Sequence, residues 1–270
     1  MQRFTNQTVL ITGASSGIGA ALARQFAAQG ATLVLLARRL ELLEALAQSL
    51  RLTGAAVEVH VCDVTQADQL QAVMLDLTRR GIALDVVVAN AGFGVVGRFD
   101  RLTLADYQRQ FDTNVFGVLR TVYATLDLLR ARRGRLVIMG SVVGHVAQPS
   151  GSAYAMSKFA VRALAESLRA ELAADGISVT LLSPGIIESN LRRIDNQGRY
   201  HPNAVDPLPG WLRFPADRAA KQMVLAIHAR KAEKVITLHG KLIVCLSRYA
   251  PWLLRYLFKR GLRARPEPGQ

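Results

Sequence analysis

Short apolar runs rich in Val, Ile and Leu alternate with longer stretches of helical periodicity along this 270-residue chain. Runs with no polar face are those of strands covered on both sides. They predict strands at about 8–12, 32–37, 57–61, 85–89, 135–140, 178–183 and 234–238. Helical patterns lie between them at about 17–29, 40–52, 66–80, 103–131, 154–174 and 217–230. This order predicts one doubly wound α/β domain. Its seven-stranded parallel sheet needs right-handed crossovers, which put helices on both faces.

Two segments leave the alternation. Residues 185–216 contain Gly198, Gly210, Pro202, Pro207, Pro209 and Pro215 and show no clear period. A loop of that length in a compact domain is usually functional, which predicts a lid over a site. Residues 240–263 look helical but are interrupted at Pro251. The domain is therefore expected to span 1–240, followed by a basic, amphipathic extension over 241–270.

Composition narrows the partners. Half the residues are hydrophobic, which excludes a disordered polyelectrolyte. Two cysteines, Cys62 and Cys245, exclude a disulfide framework and suit a reducing compartment. The first residues show no secretory pattern, so a cytoplasmic protein is expected. The net charge is +14, and residues 241–270 carry +6 of it.

From Leu242 to Phe258, thirteen of seventeen residues are apolar or aromatic, interrupted by Arg248, Pro251 and Arg255. Each arginine at a bilayer centre costs about 2.5–3.5 kcal/mol, which disfavours a spanning helix. Two readings stay open. Residues 241–263 lie on an anionic membrane surface, peripheral to its inner face, or they pack over the pocket or in a subunit interface. No nucleic-acid module accompanies the basic charge, so no nucleic-acid partner is expected.

The chemistry begins after the first strand, where Thr12 leads into Gly13-Ala14-Ser15-Ser16-Gly17-Ile18-Gly19 and then an alanine-rich helix. Glycines between a strand and a helix allow a tight turn and close approach of a pyrophosphate. The helix N-terminus then supplies free N–H groups. The spacing T-G-x-x-x-G-x-G resembles that of the short-chain dehydrogenase/reductase family, whose fold is of Rossmann type.

The second strand ends Ala37-Arg38-Arg39, with Ala37 where an NAD site usually has an acid. A guanidinium pairs with a 2′-phosphate, so NADP(H) is the expected cofactor, with Arg38 as main ligand and Ser15 assisting. The alternative is that Arg38 and Arg39 are solvated helix-capping charges. The resemblance extends to Asp63-Val64, expected at the adenine, and to Asn90-Ala91-Gly92, where Ala89 replaces a second Asn common in relatives. It further implies that Pro184, Gly185, Ile187 and Ser189 hold the nicotinamide carboxamide.

Tyr154 and Lys158 are four apart on one helical pattern and so share a face. A nearby ammonium can move a phenol from its usual pKa near 10 toward neutrality, a preference of roughly 4 kcal/mol. Such a tyrosine exchanges a proton with a substrate hydroxyl. Ser141, at the end of the fifth strand, can hydrogen-bond a carbonyl oxygen gaining charge. Asn114 lies mid-helix, an unfavoured place for Asn. The resemblance assigns it a water that links Lys158 to solvent.

Together these residues imply hydride transfer between NADP(H) and a small-molecule carbonyl or alcohol, with a lipophilic ketone preferred. The resemblance also implies a homodimer or homotetramer. Expected substrate contacts are Ser141, Tyr154, Phe93, Val143, Gly144, His145 and Gln148, with the lid from Leu191 to Trp211. No metal is expected. The alternative is a non-catalytic NADP(H)-binding sensor or scaffold.

Overall fold

The structure is a computed structural model, and it describes residues 2–206 and 208–263. Seven parallel strands form one sheet: β1 (Thr8–Thr12), β2 (Thr32–Ala37), β3 (Val57–Val61), β4 (Val86–Ala89), β5 (Arg135–Met139), β6 (Ser178–Pro184) and β7 (Glu233–Ile236), in the order β3-β2-β1-β4-β5-β6-β7. The order reverses between β1 and β4. A crevice opens there at the carboxyl ends of the strands.

Alternate strand residues feed two cores. Val9 and Ile11 of β1 pack with the helices α1 (Gly17–Ala28), α2 (Leu40–Arg51) and α7 (Ala216–His228). Leu10 between them points to the other face, against α3 (Ala67–Arg79), α5 (Gly117–Arg130) and α6 (Ser152–Glu171). Leu10 and Ile11 are fully buried, and each such side chain contributes about 1.5–3 kcal/mol. This two-sided burial explains the unbroken apolar runs.

The structure departs from the predicted elements at three places. The helix expected over 103–131 is divided. The helix α4 (Leu104–Phe111), begun by a Thr103–Asp106 capping box, passes through a π-helical turn, Asp112–Phe116, into α5. Strand β7 stops at Ile236, because Thr237 takes φ +82° and caps the next helix by accepting the Gly240 N–H at 3.1 Å. The lid expected over 185–216 has short 3-10 turns at Asn190–Arg193 and Gly210–Leu212. Single bridges tie Ile187 to Phe214 and Ile194 to Tyr200.

The C-terminal extension forms two helices, α8 (Leu238–Tyr249) and α9 (Pro251–Arg263). Proline is well placed at a helix's first position, so Pro251 begins the second helix where it ends the first. The expected boundary at residue 240 falls inside α8, whose Gly240 is buried against Thr237 and Val142. Leu238, Leu242, Tyr249, Trp252, Tyr256 and Leu257 are exposed. Among the described residues no helix is long and apolar enough to cross a membrane.

Candidate active site

The turn after β1 is built by close backbone approach. Gly13 (φ +64°) lies so near β4 that a Cβ would meet the Ala91 Cα at 2.8 Å, and Gly17 takes φ +55°. Both φ values lie where L side chains are strained. Thr12 and Asn90 join the two strand ends. The Thr12 hydroxyl accepts the Asn90 and Ala91 N–H groups at 3.0 and 3.1 Å, and the Asn90 amide donates to the Thr12 carbonyl at 2.9 Å. No side chain caps the first turn of α1, so its N–H groups face the cleft.

That cleft measures about 720 Å³. Of the residues expected at a cofactor, Gly13, Ser15, Ser16, Gly17, Ile18, Gly19, Arg38, Asp63, Val64, Asn90, Ala91, Gly92, Tyr154, Lys158, Pro184 and Ser189 line it. Gly185 instead lies against Thr237 and His239. Ile187 packs in the core, with its carbonyl accepting from Arg192 at 3.2 Å.

The two arginines after β2 have different surroundings. Arg38 is exposed, 3.7 Å from the Asp63 carboxylate. Arg39 turns inward and donates to the Ser16 and Ser15 hydroxyls at 2.9 and 3.4 Å. Its other terminal nitrogen, Nη1, is buried with no hydrogen-bond partner. Sequence reasoning chose Arg38 because it follows the position of the missing acid. The direction of Arg39 could not be read from spacing.

A nicotinamide dinucleotide fits these residues. The glycine cradle has no room for side chains, the helix N-terminus is uncapped, and Arg39, whose buried Nη1 has no partner, lines the cleft. The chain would hold the pyrophosphate on the turn.

At the other end of the cleft the tetrad converges. Ser141 is buried, accepts the Val143 N–H at 3.1 Å and lies near enough to Tyr154 to pull its pKa down. Lys158 is buried and donates to the Met139 carbonyl at 2.8 Å, with Nζ 5.7 Å from the Tyr154 ring centroid. Asn114 sits in the π turn. Its amide accepts the Phe93 N–H at 3.0 Å and donates to the Phe93 carbonyl at 2.9 Å and to Ser157 at 3.2 Å.

The electrostatics differ from the expectation of a lysine-lowered phenol. Burial pushes the Tyr154 pKa above its usual value, while the Ser141 hydroxyl and the positive charge of Arg192 pull it down. Burial lowers Lys158 to about 8. Arg192 is a site residue that the sequence did not disclose. The Asp206 carboxylate holds it through two bonds of 2.8 Å, and Arg192 in turn keeps that carboxyl down at about 2.

The expected substrate contacts divide. Phe93, Tyr154, Leu191 and Ile194 line the cleft, whereas Ser141, Val143, Gly144, His145 and Gln148 are not among its lining residues. His145 pairs outside the cleft lining: its Nε2 lies 2.9 Å from the exposed Glu233 and 3.1 Å from the buried Ser183. Two further supports escaped the sequence. Gln110, fully buried, donates to the Phe93 carbonyl at 2.9 Å. His239 accepts the Ile186 N–H at 3.0 Å, and burial lowers its pKa.

One group of metal-ligand type lies elsewhere among the described residues, at Glu58, His60 and Asp76. The Arg80 guanidinium already bonds both carboxylates, at 2.7 and 2.9 Å.

Comparison with known proteins agrees with this geometry. The family model for short chain dehydrogenases matches residues 7–199. An uncharacterized oxidoreductase of Mycobacterium tuberculosis is 41% identical over 191 residues, covering 69% of this chain and 76% of that protein. The 11-beta-hydroxysteroid dehydrogenase 1A of Arabidopsis thaliana is 38% identical over 197 residues, covering 72% and 55%. Among solved structures, a short chain dehydrogenase/reductase of Burkholderia phymatum in complex with NAD superposes with TM-score 0.82 at 25% identity, over 94% of this chain and 97% of that one. An alcohol dehydrogenase of Thermococcus sibiricus complexed with 5-hydroxy-NADP gives 0.73 at 28%, over 85% and 95%. With the sheet order, the glycine turn and the Ser141, Tyr154 and Lys158 cluster all in agreement, the chain belongs to the short-chain dehydrogenase/reductase family of oxidoreductases.

Proposed function

We propose that this protein transfers hydride between NADP(H) and a carbonyl or alcohol carbon, with Tyr154 as acid/base. The observation that carries the reading is that Tyr154 and Lys158 line the end of a cleft that begins with the glycine turn, with Ser141 near enough to Tyr154 to pull its pKa down. NADP(H), when bound, supplies the hydride and, once oxidised, a positive ring.

Ser141 orients a carbonyl oxygen and stabilises its developing charge. Tyr154 gives that oxygen a proton at its hydroxyl. Lys158, with a pKa of about 8, keeps its charge at neutral pH and donates in turn, while the Met139 carbonyl fixes its position. Asn114 holds the Phe93 backbone, which forms the wall of the cleft. Arg192 adds positive potential that favours the phenolate.

The substrate is a small molecule of lipophilic character. Phe93, Leu191 and Ile194 support this by lining the cleft. Titration with NADPH and NADH, followed by a panel of lipophilic ketones, tests the reading. NADPH binds more tightly, at least one ketone is reduced, and Tyr154→Phe loses turnover while retaining NADPH binding. Turnover that survives in Tyr154→Phe sinks the assignment of the acid. Absence of turnover by the unaltered protein favours a binding module.

Two surfaces extend the proposal. The α8–α9 extension joins exposed Trp252, Tyr249 and Tyr256 to Arg248, Arg255 and Lys259, which supports binding to an anionic membrane surface. Phe116, Tyr123, Met156 and Phe159 are exposed on the π turn, α5 and α6, which supports a homodimer through that face.

A further inference from the structure

The lid carries a strap across the dinucleotide cleft. Residues 194–201 turn back on themselves through the Ile194–Tyr200 bridge. Asp195 accepts the Gln197 and Arg199 N–H groups at 2.9 Å and fixes the turn.

One end of the strap is anchored on the β4 side. The Asn196 side chain exchanges two bonds of 3.0 Å with the Val96 backbone, and its carbonyl accepts from Arg109 at 2.9 Å. The other end lies on the β2 side. Arg38 approaches the Gly198 carbonyl at 3.5 Å, and the Tyr200 ring faces the Arg39 guanidinium at 5.1 Å. Gln197, Gly198 and Tyr200 face into the cleft.

We propose that Tyr200 is a positioning residue for cofactor selectivity: its ring holds Arg39 in place for the 2′-phosphate of NADP(H), so the lid takes part in distinguishing NADP(H) from NAD(H). This rests on the NADP(H) reading above. Among the described residues no carboxylate pairs with Arg39, and its buried Nη1 lacks a partner. Its Nη2 is already fixed by Ser16, which leaves Nη1 as the terminal nitrogen still to be paired. Arg38 next to it has one carboxylate within reach, Asp63 at 3.7 Å, besides the Gly198 carbonyl. Two guanidiniums against one carboxylate, at the ribose end of the cleft, match a dianion. An aromatic face attracts a guanidinium while leaving its N–H edge free, and it excludes water from that side. A flexible arginine so held loses less freedom on binding the phosphate.

Fluorescence titration with NADPH and NADH tests this on the full chain, for the unaltered protein and for Arg39→Ala, Tyr200→Leu and Tyr200→Phe, with a thermal melt for each. Arg39→Ala weakens NADPH binding by roughly tenfold or more and NADH binding by less. Tyr200→Leu weakens NADPH by roughly threefold to thirtyfold, sparing NADH, and Tyr200→Phe restores the preference. Equal weakening of both cofactors in Tyr200→Leu, or no weakening, overturns the role of Tyr200. If Arg39→Ala erases the preference while Tyr200→Leu keeps it, the NADP(H) reading stands and the strap proposal falls. Equal affinities in the unaltered protein overturn both.

Discussion

Asn114 and Phe93 exchange a complete pair of hydrogen bonds across the site: the Phe93 N–H donates to Asn114 Oδ1 at 3.0 Å, and Asn114 Nδ2 donates to the Phe93 carbonyl at 2.9 Å. Both groups are buried. Removing the amide strands a donor and leaves Phe93's carbonyl with Gln110 alone. Asn114→Ala is expected to cost about 2–4 kcal/mol in urea unfolding. Asn114→Asp keeps the acceptor and lowers stability as well, because a buried carboxylate meets a carbonyl. An unchanged unfolding midpoint in both variants would show that the pair has no structural part.

Lys158 gives a pH signature. Its folded pKa of about 8 lies below the ordinary lysine value of 10.5, so between these values the unfolded chain binds more protons. Stability from this group therefore rises with pH from 8 toward 10, by at most about 3 kcal/mol. Lys158→Met removes the dependence. Its stability relative to the unaltered protein should be highest near pH 7 and decline above pH 8, measured by denaturant titration across that range. A constant difference contradicts the depressed pKa.

Asp206 acts with the opposite sign. Its carboxyl is held at about 2 by Arg192, below the ordinary 3.8. The stabilisation is present above pH 4 and is lost as pH falls toward 2. Asp206→Asn loosens Arg192 at neutral pH, and trypsin should then cut the lid at Arg192 or Arg193 several times faster. Equal cutting rates in both proteins exclude this carboxylate as the lid's anchor.

The extension can be tested without shortening the chain. Arg248→Glu combined with Arg255→Glu should abolish flotation with anionic vesicles, while zwitterionic vesicles float neither protein. Trp252→Ser should weaken flotation without changing the net charge. Vesicle binding that ignores both changes places the contact elsewhere.

The strands and the glycine turn were legible because their signals are local: unbroken apolar runs, and glycines where a strand meets a helix. The Tyr154–Lys158 spacing was legible for the same reason. Arg192, Gln110 and His239 were not, since each acts on residues far along the chain through contacts that depend on lid and helix placement. Arg39 was hidden differently. It stands beside Arg38 in sequence, and only the direction of the chain leaving β2 turns it inward toward Ser16. The π turn at Asn114 left a trace, an Asn inside a helical pattern, but its extra residue per turn is invisible to a period of 3.6.

The imidazole of His239, at the start of α8, accepts the N–H of Ile186 just past the end of β6. The extension is thus also a splint for the turn that follows Pro184. A chimera that exchanges C-terminal segments between relatives would transplant that splint together with the surface of the helices. If the junction falls before residue 239, the graft alters two properties at once; beyond Gly240 it leaves the turn native and isolates the surface.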